Sequence, residues 1–173
     1  PEAGDRALIG TGVQARWHLA AMRAVRPLRR VRVASGDAAH ARRFAAECRA
    51  EAPCPIEPMP SVEAAVRGAD IIVTATSAPE PILRREWIAP GAHLNVVGAF
   101  TPATREVDGE TVAAARLFVD SRAAALAEAG DILLPMQAGL FGPAHILAEL
   151  GELAIGARAG RATESEITLF KSL

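Results

Sequence analysis

Short runs of consecutive apolar residues, rich in Val and Ile, alternate along this chain with longer Ala-rich stretches in which apolar side chains recur every three or four positions. The first pattern suits strands buried on both faces of a parallel sheet and the second suits amphipathic helices, so their alternation reads as successive β-α-β units. Strands are expected over residues 7–9, 31–34, 56–59, 71–74, 93–97 and 117–120. Between the first two, residues 14–25 set Ala15, Leu19, Met22 and Val25 on one helical face. Residues 38–51 repeat the arrangement with Ala41, Phe44, Ala45 and Cys48, and residues 61–66 form a shorter helix for which Ser61 is a suitable N-cap. Pro53, Pro55, Pro58 and Pro60 crowd the third strand. Proline has no N–H to give to a ladder, so that strand belongs at a sheet edge. The expected fold is an open, doubly wound, mainly parallel α/β sheet.

Composition narrows the function classes. A length of 173 residues suits one domain with a single core. Nineteen basic against twenty acidic residues leave a formal charge of −1, which lacks the electrostatic footprint of a nucleic-acid binder. No apolar run approaches the roughly 20 residues of a membrane span, so no membrane partner is expected. Cys48 and Cys54 lie outside any cluster with metal-ligand spacing and do not make a disulfide framework; no metal is expected, and a cytoplasmic location is. The chain opens on Pro1 with neither an initiator Met nor a signal pattern, as expected of a piece of a longer protein.

The segment that carries chemistry follows the first strand directly. Gly10-Thr11-Gly12-Val13-Gln14-Ala15 is a G-x-G-x-x-A turn leading into a helix, the arrangement in which dinucleotides bind Rossmann domains. The first glycine permits a tight turn, the second lets backbone approach a pyrophosphate, and Ala15 lets helix and strand pack closely. The unpaired N–H groups and positive dipole end of the helix would then face the phosphates. A Gly-x-Gly turn also occurs in plain loops and in methyltransferases, and it is the strand-turn-helix-strand order that favours a dinucleotide. At the end of the second strand, where an acid commonly reads the adenine ribose, stands Ser35, with Asp37 two residues later. Arg42 and Arg43 could meet a 2'-phosphate or simply form a solvated helix face. The choice between NAD and NADP as cofactor therefore stays open, with a slight lean toward the phosphorylated form. Thr74, Ala75 and Thr76 close the fourth strand with small side chains suited to the ligand crevice at the carboxyl ends of such sheets.

Several segments together resemble the ornithine cyclodeaminase/mu-crystallin family, which includes archaeal-type alanine dehydrogenases and cyclic-imine reductases. They are residues 9–16, residues 70–76, Pro90-Gly-Ala-His-Leu-Asn-Val-Val-Gly98, Phe118-Val-Asp-Ser-Arg122 with Glu128-Ala-Gly-Asp131, and the segment 160–172, whose Thr163 and Glu166 have capping-box spacing. The resemblance implies a Rossmann domain over residues 1–173. It also implies a separate N-terminal domain that grips the substrate carboxylate and forms a homodimer, and a C-terminal helix, both outside this chain. Val97 and Gly98 join the expected cofactor-binding residues. The implied substrate is a small amino or imino acid.

Ornithine cyclodeaminases place an Asp in a Gly-Gly-Asp arrangement after the fifth strand, where this chain reads Gly98-Ala99-Phe100. Phenylalanine cannot exchange a proton, and the Gly-Ala-Phe-Thr-Pro stretch is similar to members that reduce pyrroline-2-carboxylate-type ketimines. Phe100 is thus expected to line the substrate pocket. An ornithine cyclodeaminase and a non-catalytic crystallin-like binder are the alternatives, and no catalytic residue is assigned. His18 and His93 lack a recognisable carboxylate partner and read as structural. Asp120 and Ser121 read as a helix cap, and Lys171 as a solvated lysine near a terminus.

Overall fold

The computed structural model describes residues 3–50 and 52–173. The chain forms one eight-stranded sheet in the order β3-β2-β1-β4-β5-β8-β6-β7, every neighbouring pair parallel. β1 (Asp5–Ile9), β2 (Arg30–Ala34), β4 (Ile71–Thr74), β5 (His93–Val96) and β6 (Arg116–Val119) fall where apolar runs place them. β3 (Ile56–Pro58) sits at the sheet edge, where Pro58 leaves no ladder bond unmade. Two further strands, β7 (Ile146–Glu149) and β8 (Thr168–Lys171), were not expected. Neither carries the Val/Ile richness of a strand: β7 reads Ile-Leu-Ala-Glu and β8 reads Thr-Leu-Phe-Lys. β8 is nevertheless inserted between β5 and β6, so tertiary pairing decides its state.

Helix α1 (Val13–Val25) buries Ala15 and Leu19 against the sheet, while Val25 is 71% exposed. Its last turn runs past the amino ends of the strands to the rim of a separate cavity, so the expected apolar face stops short of Val25. In α2 (Ala38–Cys48) all four expected core positions, Ala41, Phe44, Ala45 and Cys48, are buried; the expected extension reached Glu51, which lies outside the described residues. Ser61 caps α3 (Val62–Val66) by accepting the Ala64 N–H at 3.1 Å. Ser121 likewise caps α5 (Arg122–Glu128). Helices α4 (Gly109–Ala114), α6 (Gly130–Gln137) and α7 (Leu150–Ala154) complete the chain.

The apolar core lies on both faces of the sheet. One cluster joins Leu8, Val31, Val33 and Val73 to α1 and α2; the larger one joins Ile9, Ile72, Leu94, Leu117 and Leu169 to α3, α4, α5 and α6. Thr163 and Glu166 do not open a helix. Glu166 accepts the N–H groups of Ala162 and Thr163 and so closes a turn that feeds directly into β8. No helix among the described residues is long and apolar enough to cross a membrane.

Candidate functional site

β1 is the point at which strand order reverses: the chain builds β2 and β3 to one side of it and β4 to the other. Ligands of open α/β sheets bind in the crevice at the carboxyl ends of strands flanking such a point. Here that crevice is a cleft of about 630 Å3, within the range of small-molecule sites. Gly10, Thr11, Gly12, Val13 and Gln14 form one wall, Ser35 and Gly36 one end, and Ala75, Thr76 and Ser77 the other.

The two glycines of the turn are small for different reasons. Gly10 has φ +111°, and a Cβ on it would lie 2.3 Å from the Ala75 carbonyl oxygen, so the protein itself excludes a side chain there. Its N–H donates to the Ala34 carbonyl at 2.9 Å, locking the turn to β2. Gly12 is the N-cap of α1 with φ −81°, and a Cβ on it would meet no protein atom within 4 Å. The space beside Gly12 opens into the cleft. α1 has no side-chain cap and no acid in its first turn, so its leading N–H groups and dipole are left to an external anion. This cradle fits the pyrophosphate of a dinucleotide.

The remaining expected residues divide. Ser35 lines the cleft, whereas Asp37 caps α2 by accepting the Ala39 N–H at 2.7 Å. Arg42 and Arg43 are exposed on α2, with Arg43 paired to Glu47 at 3.8 Å. Thr74 is fully buried behind the wall, and the Val97 N–H extends the ladder by donating to its carbonyl. Gly98 packs directly on Thr76; a Cβ there would lie 2.1 Å from the Thr76 carbonyl oxygen. Phe100, two residues on, is 67% exposed and does not line the cleft of this chain.

Behind the Thr76 wall lies a buried ionic group that sequence reasoning missed. Glu106 is fully buried and its carboxylate accepts four bonds: Oε1 from the Thr76 N–H (2.6 Å) and hydroxyl (2.7 Å), Oε2 from the Thr74 hydroxyl (2.8 Å) and the Gly98 N–H (2.7 Å). Asp131 Oδ1 accepts the N–H groups of Glu106 (2.8 Å) and Val107 (3.1 Å), while its Oδ2 accepts no hydrogen bond among the described residues. Burial pushes the Asp131 carboxyl up to about 6, against the pull of the Lys171 charge and its own backbone bonds. Lys171 corrects an expectation. It is fully buried rather than solvated, with Nζ bound to the Ser172 carbonyl. Burial lowers its pKa, opposed by the charges of Asp131, Glu106 and Asp120. Asp120 accepts the N–H groups of Ser121 and Leu173, so besides supporting the α5 cap it ties down the chain after β8. The sequence held a local signal only at Asp131, which opens the apolar run Ile132-Leu133-Leu134; Glu106 stands among charged neighbours, and Lys171 is far from both along the chain.

Both histidines keep their structural reading. His18 Nδ1 bonds the Gln14 carbonyl oxygen one turn back at 2.9 Å, and His93 Nδ1 meets the Thr168 hydroxyl at 2.8 Å at the amino end of the sheet, away from the cleft.

Comparison with known proteins agrees with the geometry. A model of the ornithine cyclodeaminase/mu-crystallin family matches residues 1–173. The mouse ketimine reductase mu-crystallin is 42% identical over 166 residues, covering 96% of this chain and 49% of that protein. The structure of Thermococcus litoralis Delta(1)-pyrroline-2-carboxylate reductase in complex with NADH and L-proline superposes with a TM-score of 0.97 at 39% identity, over 99% of this chain and 53% of that one. An archaeal alanine dehydrogenase dimer with bound NAD gives 0.92 at 30% identity, over 99% and 53%. The chain thus spans about half the length of the relatives it matches.

Proposed function

Because the chain belongs to the ornithine cyclodeaminase/mu-crystallin family, we propose that it is the NAD(P)-binding domain of a reductase that acts on a cyclic imino acid such as pyrroline-2-carboxylate. The observation that carries this reading is the turn itself. Gly10 is tied to the protein, Gly12 opens on the cleft, and an uncapped helix end faces the same space. The bound cofactor would supply hydride to the imine carbon. What the chain's residues do is position it: the Gly10–Gln14 wall takes the pyrophosphate, Ser35 meets the adenine ribose, and the Ala75–Ser77 wall bounds the nicotinamide end. Thr74, Val97 and Gly98 act from behind that wall, and Asp37 acts by capping α2. Ser35 brings a hydroxyl and no negative charge to the ribose end, so both NAD and NADP are compatible with it.

Phe100 favours a reductase over a cyclodeaminase. Reduction starts from a C=N bond already formed and needs no side chain at this point to deprotonate an amine. The residues lining the cleft include no Arg or Lys, so the groups that hold the substrate carboxylate are proposed to come from outside residues 1–173. A homodimer is proposed on the likeness to the dimeric alanine dehydrogenase. A cytoplasmic location is proposed because two cysteines do not make the disulfide framework of a secreted domain.

The test has two arms. The purified chain should bind reduced dinucleotide in a calorimetric titration, and the complete protein should consume reduced cofactor with pyrroline-2-carboxylate. Ornithine converted to proline and ammonia, with no net cofactor use, would instead establish the cyclodeaminase.

A further inference from the structure

We propose that Glu106 is a positioning residue for the nicotinamide end of the cleft, its carboxylate clamping the end of β4 to the loop that carries Phe100. The inference rests on the dinucleotide reading above and adds a residue that neither lines the cleft nor touches a ligand.

The geometry is that of a two-sided clamp. Oε1 holds Thr76, whose residue forms cleft wall, by both its N–H and its hydroxyl. Oε2 holds Gly98, where the Phe100 loop leaves β5, and Thr74 in β4. These two strand ends touch closely only because residue 98 has no side chain. A Cβ there would strike the Thr76 carbonyl oxygen at 2.1 Å and Glu106 Oε1 at 2.6 Å. Glu106 is also the far end of the same loop, so its bond to the Gly98 N–H closes residues 98–106 into a ring. The middle of that ring is pinned where the Gly130 N–H donates to the Thr101 carbonyl at 3.1 Å. Its closing end is pinned again where Asp131 accepts the N–H groups of Glu106 and Val107. The Thr76 wall and Phe100 therefore keep a fixed relation to each other, although Phe100 itself is exposed.

The clamp requires an acceptor-only group. Each oxygen of Glu106 takes one backbone N–H, which cannot reverse its role. A glutamine of the same size would turn an NH2 group toward one of those N–H donors and leave it unpaired in a buried place. Lys171 and Asp131 lie behind the clamp as its charged surroundings, fully buried with it.

The adenine half of a dinucleotide rests on Gly10–Gln14 and Ser35, which Glu106 does not contact, and this asymmetry gives the test. NADH and ADP are titrated calorimetrically into the wild-type protein, Glu106→Gln and Thr74→Val. For Glu106→Gln, NADH affinity should fall about 5- to 100-fold and ADP affinity should stay within about twofold. Thr74→Val removes one buried donor to Glu106 without altering the cleft wall, and should weaken NADH about 3- to 10-fold while sparing ADP. If Glu106→Gln fails to fold, the Thr74→Val ratio decides. Equal losses for both ligands, or no loss of NADH affinity, overturn the positioning role and leave the dinucleotide reading standing. Failure of the wild-type protein to bind either ligand overturns that reading and the inference with it.

Discussion

Replacing Gly12 with Val separates ligand binding from folding, because the two glycines of the turn answer to different neighbours. Residue 12 sits at φ −81° and ψ −169°, an extended conformation that a β-branched residue accepts. A side chain there meets no protein atom within 4 Å. The folding cost is confined to a poorer N-cap, about 1 kcal/mol, which lowers the melting temperature of a chain this size by roughly 2–4 °C. In the cleft the same methyl groups occupy the space through which a pyrophosphate approaches the start of α1. Hydrogen bonds to a charged group contribute about 1.5–3 kcal/mol each, so losing two weakens binding by about 3–6 kcal/mol, at least 100-fold in Kd. Titration of NADH into the variant, beside a thermal melt, measures both quantities. A folded variant that keeps Kd within a few-fold of wild type would refute the assignment of this turn to phosphate. Gly10→Ala should do the reverse of Gly12→Val. With φ +111° and a Cβ 2.3 Å from the Ala75 carbonyl oxygen, it should cost about 3 kcal/mol or more and lower the melting temperature by roughly 6 °C or more.

Ser35→Asp places a carboxylate at the ribose end and should shift the NADH to NADPH affinity ratio by about tenfold or more toward NADH, through repulsion of the 2'-phosphate; an unchanged ratio would remove Ser35 from the ribose site. Phe100→Ala in the complete protein should lower imine turnover about 3- to 10-fold without creating ammonia release from ornithine, since it removes the exposed apolar surface that Phe100 is proposed to offer the substrate and adds no base. Ornithine deamination by the wild-type enzyme at a rate matching imine reduction would discard Phe100 as the marker of a reductase. Asp131→Asn should flatten the pH dependence of stability. The carboxyl titrates at about 6 in the fold against 3.8 when unfolded, so the folded state binds the extra proton between those values. The net penalty for the charged form, about 3 kcal/mol, is present above about pH 6 and disappears as pH falls toward 4, whereas asparagine never carries the charge and still accepts the Glu106 and Val107 N–H groups. Urea midpoints of the two proteins should therefore converge as pH falls over that range, and parallel curves would show that Asp131 is not the titrating group.

The parallel α/β class, six of the eight strands and the phosphate turn were legible in the sequence because each depends on neighbours close along the chain. Strand runs such as Ile71–Thr74 are apolar wherever they are buried on both faces, and the Gly10-to-Ala15 spacing encodes a turn, a close approach and a helix contact within a few residues. The N-caps Ser61 and Ser121 are legible for the same reason. Phe100 could be read as unable to exchange a proton, but its exposure could not, since that depends on how its loop is anchored.

Tertiary structure decided what joins distant segments. β8 is a strand because β5 and β6 supply ladders on both sides, and its own four residues carry too little strand preference to announce it. Lys171 is buried because β8 takes that central place, and the carboxylates of Asp131 and Glu106 reach it from segments 40 and 65 residues earlier in the chain. Glu106 clamps Thr74, Thr76 and Gly98 for the same reason. A side chain's charge and size are written at its own position. The low-dielectric surroundings that turn a charge into a clamp are assembled only when the sheet brings together residues from remote parts of the sequence.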